Sequence, residues 1–470
     1  MSPPQVPRSS PYGPYAAPSP RRGHRSRPLL SRRSALKSAA LTVGLPSALT
    51  GCGSARAGSA PMSFWNPWGP AKGSDMAPQS DWFTSLARAW NARTGKDVAL
   101  TYIAGETYTN GSKLQTAFLA DSGPDLFVLS PGDFLRYANG GVLEDLTPYL
   151  SDEARRDFVD GALDTRTVNG RVYGLPMSLQ PHAFYYSKRA WERAGLAEGD
   201  VPRTWDQFLS VAEKLTTRRR SGLLLETTPG YLQNFCWYPF MWAAGADAVD
   251  RTGRHSGFDA DGVVNALRFW QETVRRGVAP RRALGSGSTD IVANLLAGYC
   301  AIQHCGPYGV GQLRKAAPHF DFGVFRQPVP HGGRYTTVVG GWAFVVNRHG
   351  RDPEAAARFA VWALGSMEEE CVRRVARWCA EASTDLPPRK SVQQHVAAQG
   401  YFDDEAMRYF QREVLPGGRG EPRYPPNVYQ PVSDAIQACQ LSGADPAERA
   451  RRASGLIEDA LATYRGARIF

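Results

Sequence analysis

Three short stretches of the sequence combine residue types that bind small polar molecules. An indole ring can stack on the apolar face of a ligand, and hydroxyl, amide and carboxylate groups can hydrogen-bond its polar edge. Paired glycines let a backbone approach a ligand closely. These residue types favour binding over catalysis. The three stretches are Trp65-Asn66, Ser130 with Asp133, and Gly340-Gly341-Trp342.

Each stretch also has a purely structural interpretation. Ser130 precedes Asp133 by three residues, which is the spacing of a helix cap. In the functional interpretation both side chains contact a ligand, because open α/β sheets bind ligands at the carboxyl ends of their strands. Trp65 and Asn66 follow a strand pattern in the same way. Trp342 is either a platform for a ligand or a core tryptophan beside a strand bulge. The residues alone leave these alternatives open.

The elements that must position these residues alternate between strand and helix. Helical spacing of apolar residues occurs at 82–90, and a last helix begins at Asp445-Pro446, with Asp445 as its cap. Such alternation predicts an α/β fold with mostly parallel sheets flanked by helices. Residues 52–470 exceed one ordinary core, so we expect two domains. Strand patterns occur at 62–65, 98–102, 125–129, 184–186, 300–302 and 342–346.

The first 51 residues are typical of an export signal. They carry eight Lys and Arg and no acidic residue, and their apolar run is shorter than the roughly 20 residues that span a bilayer. Arg32-Arg33 resembles the twin-arginine export motif, and Leu49-Thr50-Gly51-Cys52 resembles a bacterial lipobox, which implies lipidation of Cys52. Residues 52–60 would then be the lipidated cysteine and a flexible tether. The alternative is a plain secretory signal with an incidental cysteine.

Much of the positive charge of the chain lies in this leader. The formal net charge is +11, but without the eight cationic residues of the leader 47 Lys and Arg face 44 Asp and Glu, a net charge of +3. A balance this close to neutral leaves no electrostatic footprint for nucleic acid. We therefore expect no nucleic-acid partner.

Six cysteines remain when Cys52 is assigned to the lipid. In an oxidising compartment they permit up to three disulfides, and buried free thiols are the alternative. They show no Cys-x-x-Cys or Cys/His ligand spacing, so we expect no metal site. The six are Cys236, Cys300, Cys305, Cys371, Cys379 and Cys439.

Short motifs in a fixed order carry a resemblance to a known family. The most specific is Val172-Tyr173-Gly174-Leu175-Pro176 followed by Ala183–Lys188, in which Ser187 stands where the family usually has Asn. Further motifs are Gly123–Phe127, Thr204–Phe208, Gly298–Ile302 with Gly306-Pro307-Tyr308, Gly340–Trp342 and Leu386–Arg389. Together they resemble the family 1 extracellular solute-binding proteins, which are the sugar-binding receptors of ABC importers.

This resemblance implies a two-lobed periplasmic-binding-protein-like fold with a ligand cleft at the hinge. One lobe would comprise 61–174 and 340–382, and the other 175–339 and 384–470. The implied function is capture of a carbohydrate by lobe closure and delivery to ABC permease subunits. The protein would be a monomer without a cofactor, held at the outer face of the cytoplasmic membrane only by its lipid.

The resemblance also bears on the site residues. It strengthens the ligand-platform interpretation of Trp342 and places ligand contacts in the aromatic stretch 231–242, where a helix core is the alternative. A lone His182 could face the cleft, but such a residue is more often structural. The remaining candidates are Tyr185, Trp237, Trp242, Tyr308 and Arg389.

Two other classes of protein remain as alternatives. A secreted, lipid-anchored hydrolase could use a pair of the many acidic residues, although the sequence has no G-x-S-x-G, H-E-x-x-H or Walker motif. A surface adhesin or sensor could keep the same fold for protein contacts. A receptor binds its ligand without turnover, a hydrolase releases product, and an adhesin does neither. We expect no catalytic residues.

Overall fold

The computed structural model describes residues 60–69, 76–109 and 112–470. The export and lipidation predictions at Arg32, Arg33 and Cys52 lie outside the described residues. Within the described part, the helices are all too short or too polar to cross a membrane.

Fourteen strands form four sheets within the described residues. Each of the six strand patterns found in the sequence is confirmed as a strand. The strands are β1 (Met62–Asn66), β2 (Val98–Tyr102), β3 (Leu126–Leu129), β4 (Thr167–Val168), β5 (Arg171–Val172), β6 (Leu175–Pro176), β7 (Gln180–Pro181), β8 (Ala183–Ser187), β9 (Ser221–Leu224), β10 (Cys300–Cys305), β11 (Phe322–Phe325), β12 (Thr337–Gly340), β13 (Ala343–Val346) and β14 (Gly418–Gly420).

Sixteen α-helices of the described chain cover these sheets. The helix predicted at 82–90 is confirmed and ends at Gly95, and Asp445 caps the last helix by accepting a hydrogen bond from Glu448 N. They are α1 (Ala77–Thr94), α2 (Gly105–Thr109), α3 (Ser112–Leu119), α4 (Pro131–Asn139), α5 (Asp152–Asp157), α6 (Lys188–Arg193), α7 (Trp205–Leu215), α8 (Tyr231–Ala243), α9 (Asp261–Arg275), α10 (Tyr308–Ala316), α11 (Pro353–Leu364), α12 (Glu369–Arg377), α13 (Lys390–Ala398), α14 (Glu405–Tyr409), α15 (Pro426–Ser442) and α16 (Pro446–Thr463).

The two larger sheets each form the centre of a hydrophobic core. The first has the order β2-β1-β3-β13-β6, and the second has the order β11-β8-β10-β9. In the first, all four residues of β3 are buried, and Phe64 packs edge-to-face on Phe344 at 4.8 Å between ring centroids. Burial on both faces explains why the sequence of β3 is an uninterrupted run of apolar residues.

The α/β fold is confirmed, but the prediction of mostly parallel sheets is wrong. Strands β1, β2 and β3 are parallel, whereas β13 runs antiparallel to both of its neighbours and β8 runs antiparallel to β10 and β11. The reason is connectivity. β13 follows β12 of another sheet directly, without the crossover helix that returns a chain to a parallel position.

Three chain segments meet at one place, and two of them lead from one sheet to another. A small sheet, β14-β12-β7, lies beside them, and the chain passes from β6 to β7 through 177–179 and from β12 to β13 through 341–342. Segment 383–386 joins them, because the backbones of Leu179 and Leu386 exchange hydrogen bonds of 2.8 and 3.2 Å. The 177–179 and 341–342 segments are linked by Met177 N donating to Trp342 O at 2.9 Å.

The carboxylate of Asp385 ties two of these segments together. Its Oδ2 accepts hydrogen bonds from Ser178 Oγ at 2.9 Å, Gln180 Nε2 at 2.8 Å and Ser383 Oγ at 2.6 Å. Asp385 is fully buried, and burial raises the pKa of its carboxyl to about 6 in spite of these donors.

Gly341 allows the third segment to pass close to the first. Its φ of +123° lies in a region that favours glycine, and a Cβ there would overlap the backbone carbonyl of Ser178. The carbonyl oxygen of Gly341 accepts a hydrogen bond from the buried Arg166 side chain. A side chain at 341 would therefore force the crossing segments apart.

We expect Gly341→Ala to lower the free energy of unfolding by more than about 2 kcal/mol, because positive φ and steric overlap both oppose the methyl group. Gly230→Ala is the matched control. Gly230 has a similar φ of +113°, but its added Cβ meets no described atom within 4 Å. Denaturant titration of both variants checks the prediction, and equal losses would contradict the proposed overlap.

Candidate functional site

Three of the predicted binding residues line one cavity. Ser130 and Asp133 lie at the carboxyl end of β3, and Trp342 lies between β12 and β13. The cavity has an empty volume of about 270 Å³. It is lined by Tyr108, Leu114, Val128, Leu129, Ser130, Asp133, Tyr137, Tyr231 and Trp342.

Ser130 occupies the cap position of α4 without using its side chain as a cap. Its backbone is extended and its hydroxyl makes no bond to the first turn of the helix. Its side chain and that of Tyr231 line the same cavity, and Ser130 acts to lower the pKa of the Tyr231 hydroxyl, which burial raises. Asp133 lies in the first turn of α4, 3.5 Å from Arg136, and burial raises the pKa of its carboxyl. The capping alternative therefore fails for Ser130.

The indole of Trp342 is held in place by two other aromatic rings. Trp68 meets it edge-on at 5.8 Å between centroids, and Tyr108 meets it at 5.9 Å. Tyr108 is itself fixed, because its hydroxyl donates to Val128 O and accepts from Val128 N, both at 2.9 Å. Trp342 is only partly buried, so part of its surface remains for contact with a ligand.

Tyr231, the first residue of α8, separates this cavity from a second one. The second has an empty volume of about 220 Å³. Gly132 of α4 lies directly against the Tyr231 ring and Glu421, where a Cβ would overlap both side chains. The second cavity is lined by Gly132, Tyr231, Asn234, Tyr238, Glu421, Pro422, Tyr424 and Tyr429.

Buried polar groups surround Tyr231. Burial raises the pKa of Glu421 to about 8, although Tyr231 and Arg166 both act to lower it. Glu421 Oε2 and Asn234 Oδ1 find no hydrogen-bond partner within the described part of the chain. Buried polar atoms without partners are costly, so these two oxygens are unusual features of the second cavity.

Several predicted residues lie near the cavities without lining them. Asn66 is buried and its Oδ1 accepts from Trp68 N at 2.9 Å, which holds a turn rather than a ligand. Trp65 is half-buried, and its carbonyl accepts from Tyr108. Trp242 stacks on Tyr238 at 5.9 Å beneath the Arg419 guanidinium. Gly340 packs against Phe235.

Tyr185, Trp237 and Arg389 lie in the protein interior, which corrects their prediction as ligand contacts. Tyr185 and Trp237 are both 0% exposed, and the Tyr185 hydroxyl donates to Gly306 O at 2.7 Å. Arg389 is also 0% exposed and pairs with Asp157 at 2.6 Å. Side chains that are enclosed in this way offer no free surface to a ligand. Tyr308 is partly exposed but lines neither cavity.

Sequence reasoning missed Tyr108, Asn234 and Glu421. Tyr108 and Glu421 lie in segments without strong periodicity, and only the fold brings them to the cavities. Asn234 and Tyr231 belong to the aromatic stretch that was already singled out. The start of α8 after Pro229-Gly230 is the signal that could have found Tyr231.

All six described cysteines are free and buried, as the free-thiol alternative predicts. One of them, Cys236, lies beside His182 and His304, with their ligand atoms within 4.8 Å of one another. His182 lines neither cavity. The sequence rule of local Cys/His spacing misses such a group because its members come from three distant elements.

Comparison with known proteins identifies the family. A model of the bacterial extracellular solute-binding proteins matches residues 73–370, well over half of the chain. The chain belongs to this family. The resemblance of the short sequence motifs is thereby confirmed.

Curated relatives of this solute-binding protein are distant. A binding protein of Brucella abortus is 24% identical over 48% of this chain and 54% of the relative. An uncharacterised lipoprotein of Streptomyces antibioticus is 30% identical over 53% and 56%, and the maltotriose-binding protein of Pyrococcus abyssi is 24% identical over 60% and 58%. The chain thus spans about half the length of the curated relatives that it matches first.

Solved structures confirm the two-lobed fold of this solute-binding protein. An ABC transporter solute-binding protein from Thermotoga lettingae, bound with α-D-tagatose, aligns with a TM-score of 0.73 and 22% identity over 86% of this chain and all of that chain. A cyclic α-maltosyl-1,6-maltose binding protein from Arthrobacter globiformis aligns with a TM-score of 0.69 and 21% identity over 87% of this chain and all of that chain.

We expect Glu421→Gln to flatten the pH dependence of stability. The raised pKa of Glu421 means that the folded state holds its proton more tightly than the unfolded state does. The contribution of Glu421 to the free energy of unfolding is therefore full below pH about 4 and is lost as the pH rises through about 8. Between pH 5 and pH 9 the free energy of unfolding of the wild type should fall by about a few kcal/mol more than that of the variant, because each unit of pKa difference corresponds to about 1.4 kcal/mol.

Urea titrations across this pH range measure the difference. Glu153→Gln, at an exposed position in α5, is the control and should follow the wild type. Parallel pH curves for the wild type and Glu421→Gln would contradict the raised pKa.

Proposed function

We propose that this protein is an extracytoplasmic receptor that captures a carbohydrate and delivers it to the permease of an ABC importer. The observation that carries the proposal is the cavity in which the Trp342 indole lies with the polar groups of Ser130, Asp133 and Tyr231. A sugar needs this combination, because it has an apolar C–H face for stacking and hydroxyls for hydrogen bonds.

The similar proteins support a carbohydrate ligand. One relative is named for maltotriose, and two similar structures are named for tagatose and for a cyclic maltosyl-maltose. The ligand could be a mono- or oligosaccharide or a polyol. We propose Ser130, Asp133 and Trp342 as its contacts, with Tyr108 and Tyr231 added from the cavity lining. Gly340 and Gly341 would position Trp342 rather than contact the ligand.

We propose that binding closes two lobes around the ligand. One comprises 61–174 with 340–382, and the other comprises 175–339 with 384–470. Sheet membership supports this division, since β1, β2, β3 and β13 share one sheet and β8 to β11 share another, although β6 pairs with β13. A ligand that contacts both lobes binds the closed form better and shifts the equilibrium toward it.

The position of Tyr231 supports closure as a step of binding. Its side chain lines both cavities. Tyr231 stands between them. Rotation about the crossing segments at 177–179, 341–342 and 383–386 would move Tyr231 away from Ser130 and open one continuous cleft.

We also propose that the protein is exported and anchored at the outer face of the cytoplasmic membrane by a lipid on Cys52. The Arg32-Arg33 pair and the lipobox resemblance support this, and one relative is named as a lipoprotein. We also propose that the protein is a monomer and that it binds without catalysis. Relatives named as binding proteins support the second of these proposals.

A thermal-shift screen against mono-, di- and oligosaccharides and polyols tests the function, with each hit analysed for turnover by mass spectrometry. A ligand at about 100 times its Kd stabilises the folded state by roughly 2.7 kcal/mol, which gives a clear shift in Tm. A shift with intact ligand supports the receptor. A shift with product would favour a hydrolase, and no shift with any carbohydrate would contradict a carbohydrate ligand.

We expect Trp342→Ala to weaken binding of the carbohydrate found in that screen at least tenfold, because the variant loses the stacking surface. Trp342→Phe should keep a smaller ring and most of the affinity. Calorimetric titration measures both effects. Tyr299→Ala, which removes an aromatic ring outside both cavities, is the control. Unchanged affinity in Trp342→Ala would remove Trp342 from the site.

A further inference from the structure

Two histidines and a cysteine meet in the interior of the protein. His182 lies between β7 and β8, Cys236 lies in α8, and His304 lies in β10. They are 2%, 1% and 1% exposed, and their possible ligand atoms all lie within 4.8 Å of one another. Imidazole nitrogen and thiolate sulfur are the preferred ligands of zinc and copper.

The histidine nitrogens of this group lack the partners that buried polar atoms normally have. His182 Nδ1 and both ring nitrogens of His304 make no hydrogen bond to any described residue. The two rings lie 4.8 Å apart, edge to face. Buried polar atoms without partners are rare and call for an explanation, and an ion at this position would provide one.

The surroundings of the three side chains favour neutral groups, because all three are buried. A neutral imidazole carries a lone pair on one ring nitrogen, which a metal ion can use. Only a bound cation would make the thiolate stable here.

Two aromatic rings form part of the wall around these three side chains. Phe184 packs on the His304 ring at 4.7 Å, and Phe235 packs on the His182 ring at 4.8 Å. The nearby carboxylate of Glu226 is fully engaged. Its Oε1 accepts from Thr227 N and Thr228 N, and its Oε2 accepts from the backbone and hydroxyl of Ser288. The group therefore offers three ligands of total charge −1 when Cys236 is deprotonated.

We propose that His182, Cys236 and His304 bind one copper(I) ion. A monovalent soft ion with a single thiolate is electrically neutral, which suits a buried site. A divalent zinc ion would keep a charge of +1 and would lack the fourth ligand of a closed structural site. On binding, the Cys236 proton passes to solvent as the sulfur–copper bond forms, and no atom changes oxidation state.

The site would act on α8 rather than on the carbohydrate directly. None of its three ligands lines either cavity. Cys236, however, shares α8 with Tyr231 and Asn234, which do line them. The ion would thus fasten the helix that carries these two residues to strand β10 of the second sheet. This inference stands independently of the identity of the transported solute.

Anaerobic titration of the metal-free, full-length protein with Cu⁺, in competition with bicinchoninate, tests the proposal. We expect one equivalent to bind, and Cys236→Ser and His304→Gln to weaken binding at least tenfold. Cys439→Ser is the matched control, since Cys439 is a buried free thiol of α15, and it should bind as the wild type does. X-ray absorption of the wild-type complex should show one sulfur and two nitrogen ligands.

Two results would overturn the proposal. Wild-type affinity in Cys236→Ser, or a copper environment without sulfur, would remove Cys236 from the site. Displacement of stoichiometric Cu⁺ by equimolar Zn²⁺ would overturn the choice of a monovalent ion. The absorption measurement needs no variant, so a failure of Cys236→Ser to fold would not affect it.

Discussion

One buried carboxylate, Asp385, constrains the whole molecule. It accepts three hydrogen bonds from side chains of two crossing segments, at the point where the chain passes between its main sheets. A buried acceptor with three donors is costly to break, because each donor would also lose its partner. These hydrogen bonds fix the crossing segments 177–179 and 383–386 to each other. Gly341 supplies the space for that arrangement on the adjacent segment.

The cavity residues depend on this junction for their placement. Trp342 directly follows Gly341, and Ser130 directly follows β3, the strand next to β13. Tyr231, the first residue of α8, lines the same cavity. Glu421 and Asn234 keep unpaired acceptors among the described residues when these surfaces meet. In the proposed closure, a hydroxylated ligand would supply partners for these polar groups, which otherwise stay unsatisfied.

Local patterns in the sequence were enough to predict six of the fourteen described strands and the first and last helices, but not how the elements assemble. Uniform burial made β3 an unbroken apolar run, and Asp445 capped α16 as its spacing indicates. Tyr185 and Trp237 resembled site residues because aromatic rings suit both a ligand and a core, and burial is decided by tertiary packing. Glu421 gave no local signal, since its position beside Tyr231 depends on contacts between segments distant in sequence. The antiparallel entry of β13 likewise depends on the crossing at 341–342.

The six buried thiols have a consequence for how the folded state can be observed. None of the six is cross-linked within the described residues. An alkylating reagent can reach these sulfurs only when the surrounding core opens. The rate at which each thiol is labelled therefore reports the opening of its own part of the structure, with Cys379 beside the crossing segments and Cys439 in the distant helix α15.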